Sequence, residues 1–135
     1  MNKKDLIAIR DFHPNDTNFI YDTWLNSLRY GNQVFGLIDT VRYYEVYRAI
    51  ITHILKDAQV KVACLKEDDQ IILGYSVTDK DSKVHWVYVK ELWRKLGIAK
   101  DLLPKTIKTI THLTVVGQAI WKKSYKEAIF DPFIL

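Results

Sequence analysis

The sequence predicts an α+β fold built on a mixed, mostly antiparallel central sheet with helices on both faces. Apolar residues recur at helical spacing between Phe19 and Leu55, then switch to period two from Val60 to Val89. Beyond Gly97 short helical and extended segments alternate. Three consecutive strands followed by a β-α-β step give a sheet that is antiparallel on one side and parallel on the other.

Leu6 to Phe12 alternates as a strand, and His13-Pro14-Asn15-Asp16 ends it, because proline cannot donate to a ladder. Asn15 or Asp16 caps a helix carrying Phe19, Ile20, Trp24, Leu25 and Leu28 on one stripe. Arg29-Tyr30-Gly31-Asn32 breaks it. Asp39 or Thr40 caps a second helix, with Val41, Tyr44, Tyr47 or Arg48, Ile51, Ile54 and Leu55 inward. Val60, Val62 and Cys64 alternate with Lys61, Ala63 and Leu65, and Glu67 to Gln70 turns the chain into Ile71 to Thr78. A second turn, Asp79 to Ser82, leads to the strand Val84 to Val89. From Gly97 a helix runs to a break at Leu103, where Pro104 removes a donor. Ile110 to Thr114 reads as a short strand, Val115 to Tyr125 as a helix and Ala128 to Leu135 as an extended tail. The predicted order is β-α-α-β-β-β-α-β-α-β in a single domain spanning residues 1–135.

With 48% hydrophobic and 27% charged residues the composition is that of a globular chain, and 13% aromatics add apolar area to its core. The apolar runs are short and broken by charges, so no membrane span is expected, and the charged start lacks the pattern of a secretion signal. One cysteine, Cys64, precludes an internal disulfide and fits a reducing cytoplasm. No His/Cys/carboxylate spacing suits a metal. The net charge of +4 is uneven: from Lys90 to Glu127 nine Lys or Arg face three carboxylates, +6 against −2 elsewhere. Such a block suits a polyanionic partner, a phosphorylated cofactor or nucleic acid; the plainer reading is a solvated helix face.

Arg94-Lys95-Leu96-Gly97-Ile98-Ala99 lies between an apolar strand and a helix start. A helix start leaves backbone N–H groups unpaired and carries positive partial charge, so it suits phosphate oxygens. Gly97 permits close backbone approach, and Arg94, Lys95 and Lys100 add charge.

These residues resemble the acyl-coenzyme-A signature of the GNAT N-acetyltransferase superfamily, R/Q-x-x-G-x-G/A after a strand-ending valine. Val89, Arg94, Gly97 and Ala99 fill it here, and the element order matches along nearly the whole chain. The resemblance implies acetyl-CoA, or another acyl-CoA, in a V-shaped gap between the strand ending at Val89 and the strand around His112. Val87, Tyr88 and Val89 are carried over as the pantetheine-pairing edge. Backbone N–H groups of Lys95, Leu96, Gly97, Ile98 and Ala99 are carried over for the pyrophosphate, with Lys100 beside them. An amine then attacks the acyl carbonyl directly.

Two catalytic candidates follow from the resemblance. His85 shares its strand face with Val87, and some family members place a histidine base there; the plainer reading is a packed histidine. The family's proton donor is a tyrosine on the last helix, but Trp121 occupies that place, and Tyr125 one turn later is the substitute. The acceptor side is walled by the first two helices and their connection, with Arg29, Tyr30, Asn32, Tyr43 and His112 as substrate candidates. Tyr43 and Arg29 fall off the apolar stripes and are expected to be exposed, whereas Trp24 and Tyr44 are expected in the core. Thr23 to Arg29 and Phe130 to Phe133 resemble small phage-encoded members of the superfamily, among them Mom-type enzymes, which would put the chain in the host cytoplasm. The expected activity is acyl transfer to an amine of a protein, small molecule or nucleobase, by a monomer or homodimer. The alternative is an inactive module whose basic face contacts nucleic acid or a host protein.

Overall fold

A computed structural model describes residues 2–135. The chain order is β1 (Ile7–Asp11), α1 (Thr17–Tyr30), α2 (Thr40–Leu55), β2 (Gln59–Leu65), β3 (Ile72–Thr78), β4 (Lys83–Val89), α3 (Ile98–Leu102), β5 (Thr109–Ile110), α4 (Val115–Ser124) and β6 (Ile129–Phe130). Short 3-10 turns sit at Lys3–Leu6, Pro14–Asp16, Phe35–Leu37 and Glu91–Trp93. The six strands lie in sequence order in one sheet. β1 to β4 pair antiparallel, and β4 with β5 and β5 with β6 pair parallel. The mixed α+β architecture and its element order are those read from the sequence.

Alternation along β2 to β4 supplies two apolar faces. One receives α1 and α2 through Ile20, Trp24, Leu25, Tyr43, Ile51, Val62, Tyr75 and Trp86. Trp24 of α1 stacks on Trp86 of β4, ring centroids 5.6 Å apart and planes 3° from parallel. The other face receives α3, whose Ile98 and Leu102 pack on Ala63 and Leu73. A third cluster (Val84, Ile107, Ile110 and Ala128) joins β4 and β5 to the final segment, with Trp121 against it. Cys64 is buried in β2, as packing rather than chemistry requires.

Three local expectations differ from the structure. Asp16 does not cap α1 with its side chain; its carboxylate takes both Arg10 Nη1 and Nη2, at 2.8 and 2.9 Å, and the His13 N–H at 2.8 Å. β5 is two residues long instead of five, because Thr111 donates its N–H to Val84 O (3.0 Å) and the chain then leaves β4. The α2 stripe is also rotated: Val41 is exposed and Tyr43 buried. No described helix is long and apolar enough to cross a membrane.

Candidate functional site

The site begins where β4 loses its neighbour. β4 and β5 pair only at Lys83 with Thr109 and Val84 with Ile110, after which they part. Lys90 donates its N–H to Leu73 O at 2.8 Å, and this sets the phase of the β3–β4 ladder. Antiparallel pairing alternates, so Tyr88 and Trp86 exchange bonds with Tyr75 and Val77, while Val87 and Val89 turn their backbone groups toward the vacated edge. Val89 C=O accepts from Arg94 Nε at 3.0 Å. The N–H and C=O of Val87 and the N–H of Val89 are left on an open strand edge.

That edge walls a cleft of about 1630 Å³, which reaches from the start of α3 to the end of α1 and along α4. At the α3 end, Lys95 and Gly97 hold positive φ of 66° and 82°. A left-handed conformation disfavours residues with a Cβ, so glycine is favoured at position 97 by its backbone rather than by crowding. The N–H groups of Gly97, Ile98, Ala99 and Lys100 have no hydrogen-bond partner among the described residues. Arg94, Lys95 and Lys100 line the cleft beside them. Of the residues expected to hold the cofactor, Val87, Tyr88, Val89, Arg94, Lys95, Gly97, Ile98, Ala99 and Lys100 all line the cleft; Leu96 does not. Lys4, far along the chain and not singled out by any motif, places its Nζ 3.9 Å from where a Cβ on Gly97 would stand.

The two histidines are not in the cleft lining. His85 is 4% exposed and sits at a bulge, where β4 gains one residue between Val84 and Trp86 relative to β3. Its Nε2 reaches Asp79 Oδ2 at 3.5 Å and its Nδ1 contacts Thr111 Oγ1 at 3.0 Å. The same hydroxyl meets His112 Nδ1 at 2.9 Å. One tautomer set satisfies all three contacts: His85 Nε2–H donates to Asp79, Thr111 O–H to His85 Nδ1, and His112 Nδ1–H to Thr111 Oγ1. Burial pushes both rings below the ordinary histidine range, His85 against the pull of Asp79 and His112 to about 4 with His85 adding to the effect. The His112 ring stands edge-on to Trp24 and Tyr47. Both histidines stand at the closed end of the V, outside the cleft lining.

Tyr125 does line the cleft, immediately after α4, and burial pushes its hydroxyl up. Trp121 turns away from the cleft, donating Nε1–H to Ala128 O at 3.0 Å. Tyr30 and Asn32 line the opposite end. Tyr43 and Arg29, expected as exposed contacts, are 1% and 6% exposed. The Tyr43 hydroxyl donates to Leu25 O at 2.6 Å, and Arg29 donates to Ile38 O at 2.9 Å while standing over the Tyr43 ring. Together they fasten the α1–α2 connection, and a stripe count cannot see that a polar tip finds a carbonyl inside. Val115, Val116 and Lys123 line the cleft without having been singled out from the sequence. No cluster of potential metal ligands occurs among the described residues.

No protein-family model matches the chain, and no curated protein matches it. Among solved structures it is similar to a GCN5-related N-acetyltransferase (aminotransferase, class-II) from Rhodopseudomonas palustris, at 14% identity, covering 72% of this chain and 61% of that one, TM-score 0.48. A possible acetyltransferase from Clostridium difficile shares 18% identity over 72% and 66% of the two chains, TM-score 0.48. yncA from Salmonella typhimurium, solved with its cofactor acetyl-CoA, shares 20% over 71% and 58%, TM-score 0.41. The chain therefore spans about three fifths of the length of these proteins. At this distance the weight falls on the cleft itself.

Proposed function

We propose that the chain is an acyl-CoA-dependent N-acyltransferase that positions a thioester for direct attack by an amine. One observation carries this reading: an open β4 edge and a row of four free N–H groups, ringed by Arg94, Lys95 and Lys100, lie along the same cleft. The N–H row suits pyrophosphate oxygens, and the cations neutralise their charge. Val87 and Val89 suit an extended amide-bearing arm, which adds to a sheet edge through main-chain bonds. The cleft exceeds the few hundred to roughly 1,000 Å³ usual for small ligands, which leaves room for an acceptor as well. Acyl-CoA supplies an activated acyl group whose sulfur leaves as a thiolate. Tyr125, a hydroxyl lining the cleft just beyond α4, is the group assigned to return a proton to that sulfur.

Thermal unfolding with acetyl-CoA tests the reading. A ligand at 100 times its Kd stabilises the folded state by about 2.7 kcal/mol, which for a chain of this length raises the midpoint by roughly 10 °C. Gly97→Glu should abolish the shift, since it forces a Cβ into left-handed backbone and sets a carboxylate against the pyrophosphate. A midpoint unmoved at millimolar acetyl-CoA refutes the proposal. A second reading, a nucleic-acid-binding module, draws on Lys122 and Lys126, exposed on and just beyond α4 and outside the cleft lining. It requires DNA or RNA binding that weakens steeply with salt while acetyl-CoA has no effect.

A further inference from the structure

The two ends of the cleft differ in charge and texture. The α3 side and the far end of α4 carry Arg94, Lys95, Lys100, Lys105 and Lys123, with Asp101 the sole carboxylate among the described lining residues. The other mouth is formed where Val115 donates its N–H to Gly31 O at 3.0 Å, joining the start of α4 to the end of α1. Its lining is uncharged: Tyr30, Asn32, Gln33, Val115 and Val116. Tyr30 is 75% exposed and Val115 and Val116 more than half exposed, so this mouth offers bare aromatic and apolar surface.

Resting on the acyltransferase reading, we propose that the acceptor is a weakly basic amino group on a flat aromatic body, neutral at pH 7, and not an alkylammonium. An ammonium would find no carboxylate to pair with at this mouth, whose lining residues are uncharged. It would also have to shed a proton first. Only on the order of one molecule in a thousand of a lysine-like amine is unprotonated at pH 7. Neither His85 nor His112 lines the cleft to take that proton; both are held at the closed end of the V by contacts with Asp79 and Thr111. An aromatic amino group needs no such step. Its ring suits Tyr30, Val115 and Val116, and its N–H groups suit the side-chain amide oxygen of Gln33. The nitrogen lone pair forms the N–C bond to the acyl carbon as the C–S bond breaks. Tyr125 gives its proton to the departing sulfur and recovers one from the nitrogen through water. The products are the aryl amide and the free thiol, with no further reagent.

The isomers 4-ethylaniline and 2-phenylethylamine share one formula and differ in whether the nitrogen is protonated at pH 7. With acetyl-CoA, thiol release should be at least about tenfold faster with 4-ethylaniline, and the gap should narrow as pH rises and frees the alkylamine. Without cofactor, 4-ethylaniline should shift the methyl resonances of Val115 and Val116 while 2-phenylethylamine leaves them in place. Faster acetylation of 2-phenylethylamine or of a lysine peptide at pH 7, or stronger methyl shifts from the alkylamine, overturns the inference. A mixed-sequence single-stranded oligonucleotide separates the sources: acetylated bases place the amino group on nucleic acid, and unmodified bases with acetylated 4-ethylaniline place it on a small molecule. Failure of acetyl-CoA to protect the fold is seen before any acceptor is added and sinks the acyltransferase reading itself.

Discussion

Acidification from pH 7 to pH 5 should destabilise this protein through His112. In the unfolded chain the imidazole titrates near 6.5, and in the folded protein burial and His85 bring it to about 4. The folded state therefore binds fewer protons, and its stability falls as pH drops through the unfolded value toward the folded one. For this single group the linkage amounts to about 2 kcal/mol lost by pH 5 and about 3 kcal/mol by pH 4. At roughly 0.28 kcal/mol/K of unfolding entropy for 135 residues, 2 kcal/mol lowers the midpoint by about 7 °C. His85 shifts the same way and adds to the loss. Asp16 and Asp79, both held below the ordinary carboxylate range, also weaken the fold in acid, but only below their usual titration near 3.8. The window from pH 7 to pH 5 thus isolates the histidines. Thermal unfolding followed by circular dichroism across this window, in the native chain and in His112→Gln, measures the effect. The variant keeps a side-chain donor for Thr111 and removes the titration, so its midpoint should depend less on pH. A native midpoint constant within about 2 °C, or a slope undiminished in His112→Gln, refutes the reasoning.

Tyr125→Phe should lower kcat by about 10²-fold while the acetyl-CoA-induced thermal shift is retained, because it removes a proton donor and leaves the cradle intact. Asp16→Ala should cost about 1–3 kcal/mol in urea unfolding, since Asp16 is 2% exposed and its loss leaves the Arg10 guanidinium with only the carbonyls of Asp11 and Asp69. Gly74→Ala should cost about 1–3 kcal/mol and weaken acetyl-CoA binding, because the new Cβ would stand 2.5 Å from Tyr88 O and press on the segment of β4 that bears the open edge. Calorimetry with acetyl-CoA separates the two effects in that variant.

What the sequence showed and what it hid divide along one physical line. Element order was legible because period and punctuation are local: Pro14, the Glu67–Gln70 turn and Gly97 fall where the chain turns. The turn from β4 into α3 was legible for the same reason, since a strand end, a glycine with positive φ and a helix start lie within ten residues. Tyr43 and Arg29 were misjudged because their burial depends on carbonyls of α1 and the α1–α2 connection, which their own spacing does not announce. β5 was drawn too long because its length is set by where β4 stops offering partners.

The bulge at His85 coincides with that side chain's absence from the cleft lining. Strict alternation from Val89 would place His85 on the Val87 face and beside the reacting groups. The extra residue between Val84 and Trp86 interrupts that alternation at the point where β5 is about to leave. His85 then spans the vertex, tied to the β3–β4 turn through Asp79 and to the chain beyond β5 through Thr111. The polar chain thus bridges the β3–β4 turn and the segment beyond β5 where the two strands part, and we infer that it restrains the angle of the V. Protonating it would break the tautomer order that holds it, so the acid sensitivity of the fold and the shape of the cleft have a common origin. Acid should therefore erode acetyl-CoA binding over the pH range in which His112 destabilises the fold, although His112 does not line the cleft. Cofactor affinity measured at a temperature where the chain is fully folded at pH 5 tests this link: affinity equal at pH 5 and pH 7 would separate the clamp from the cleft.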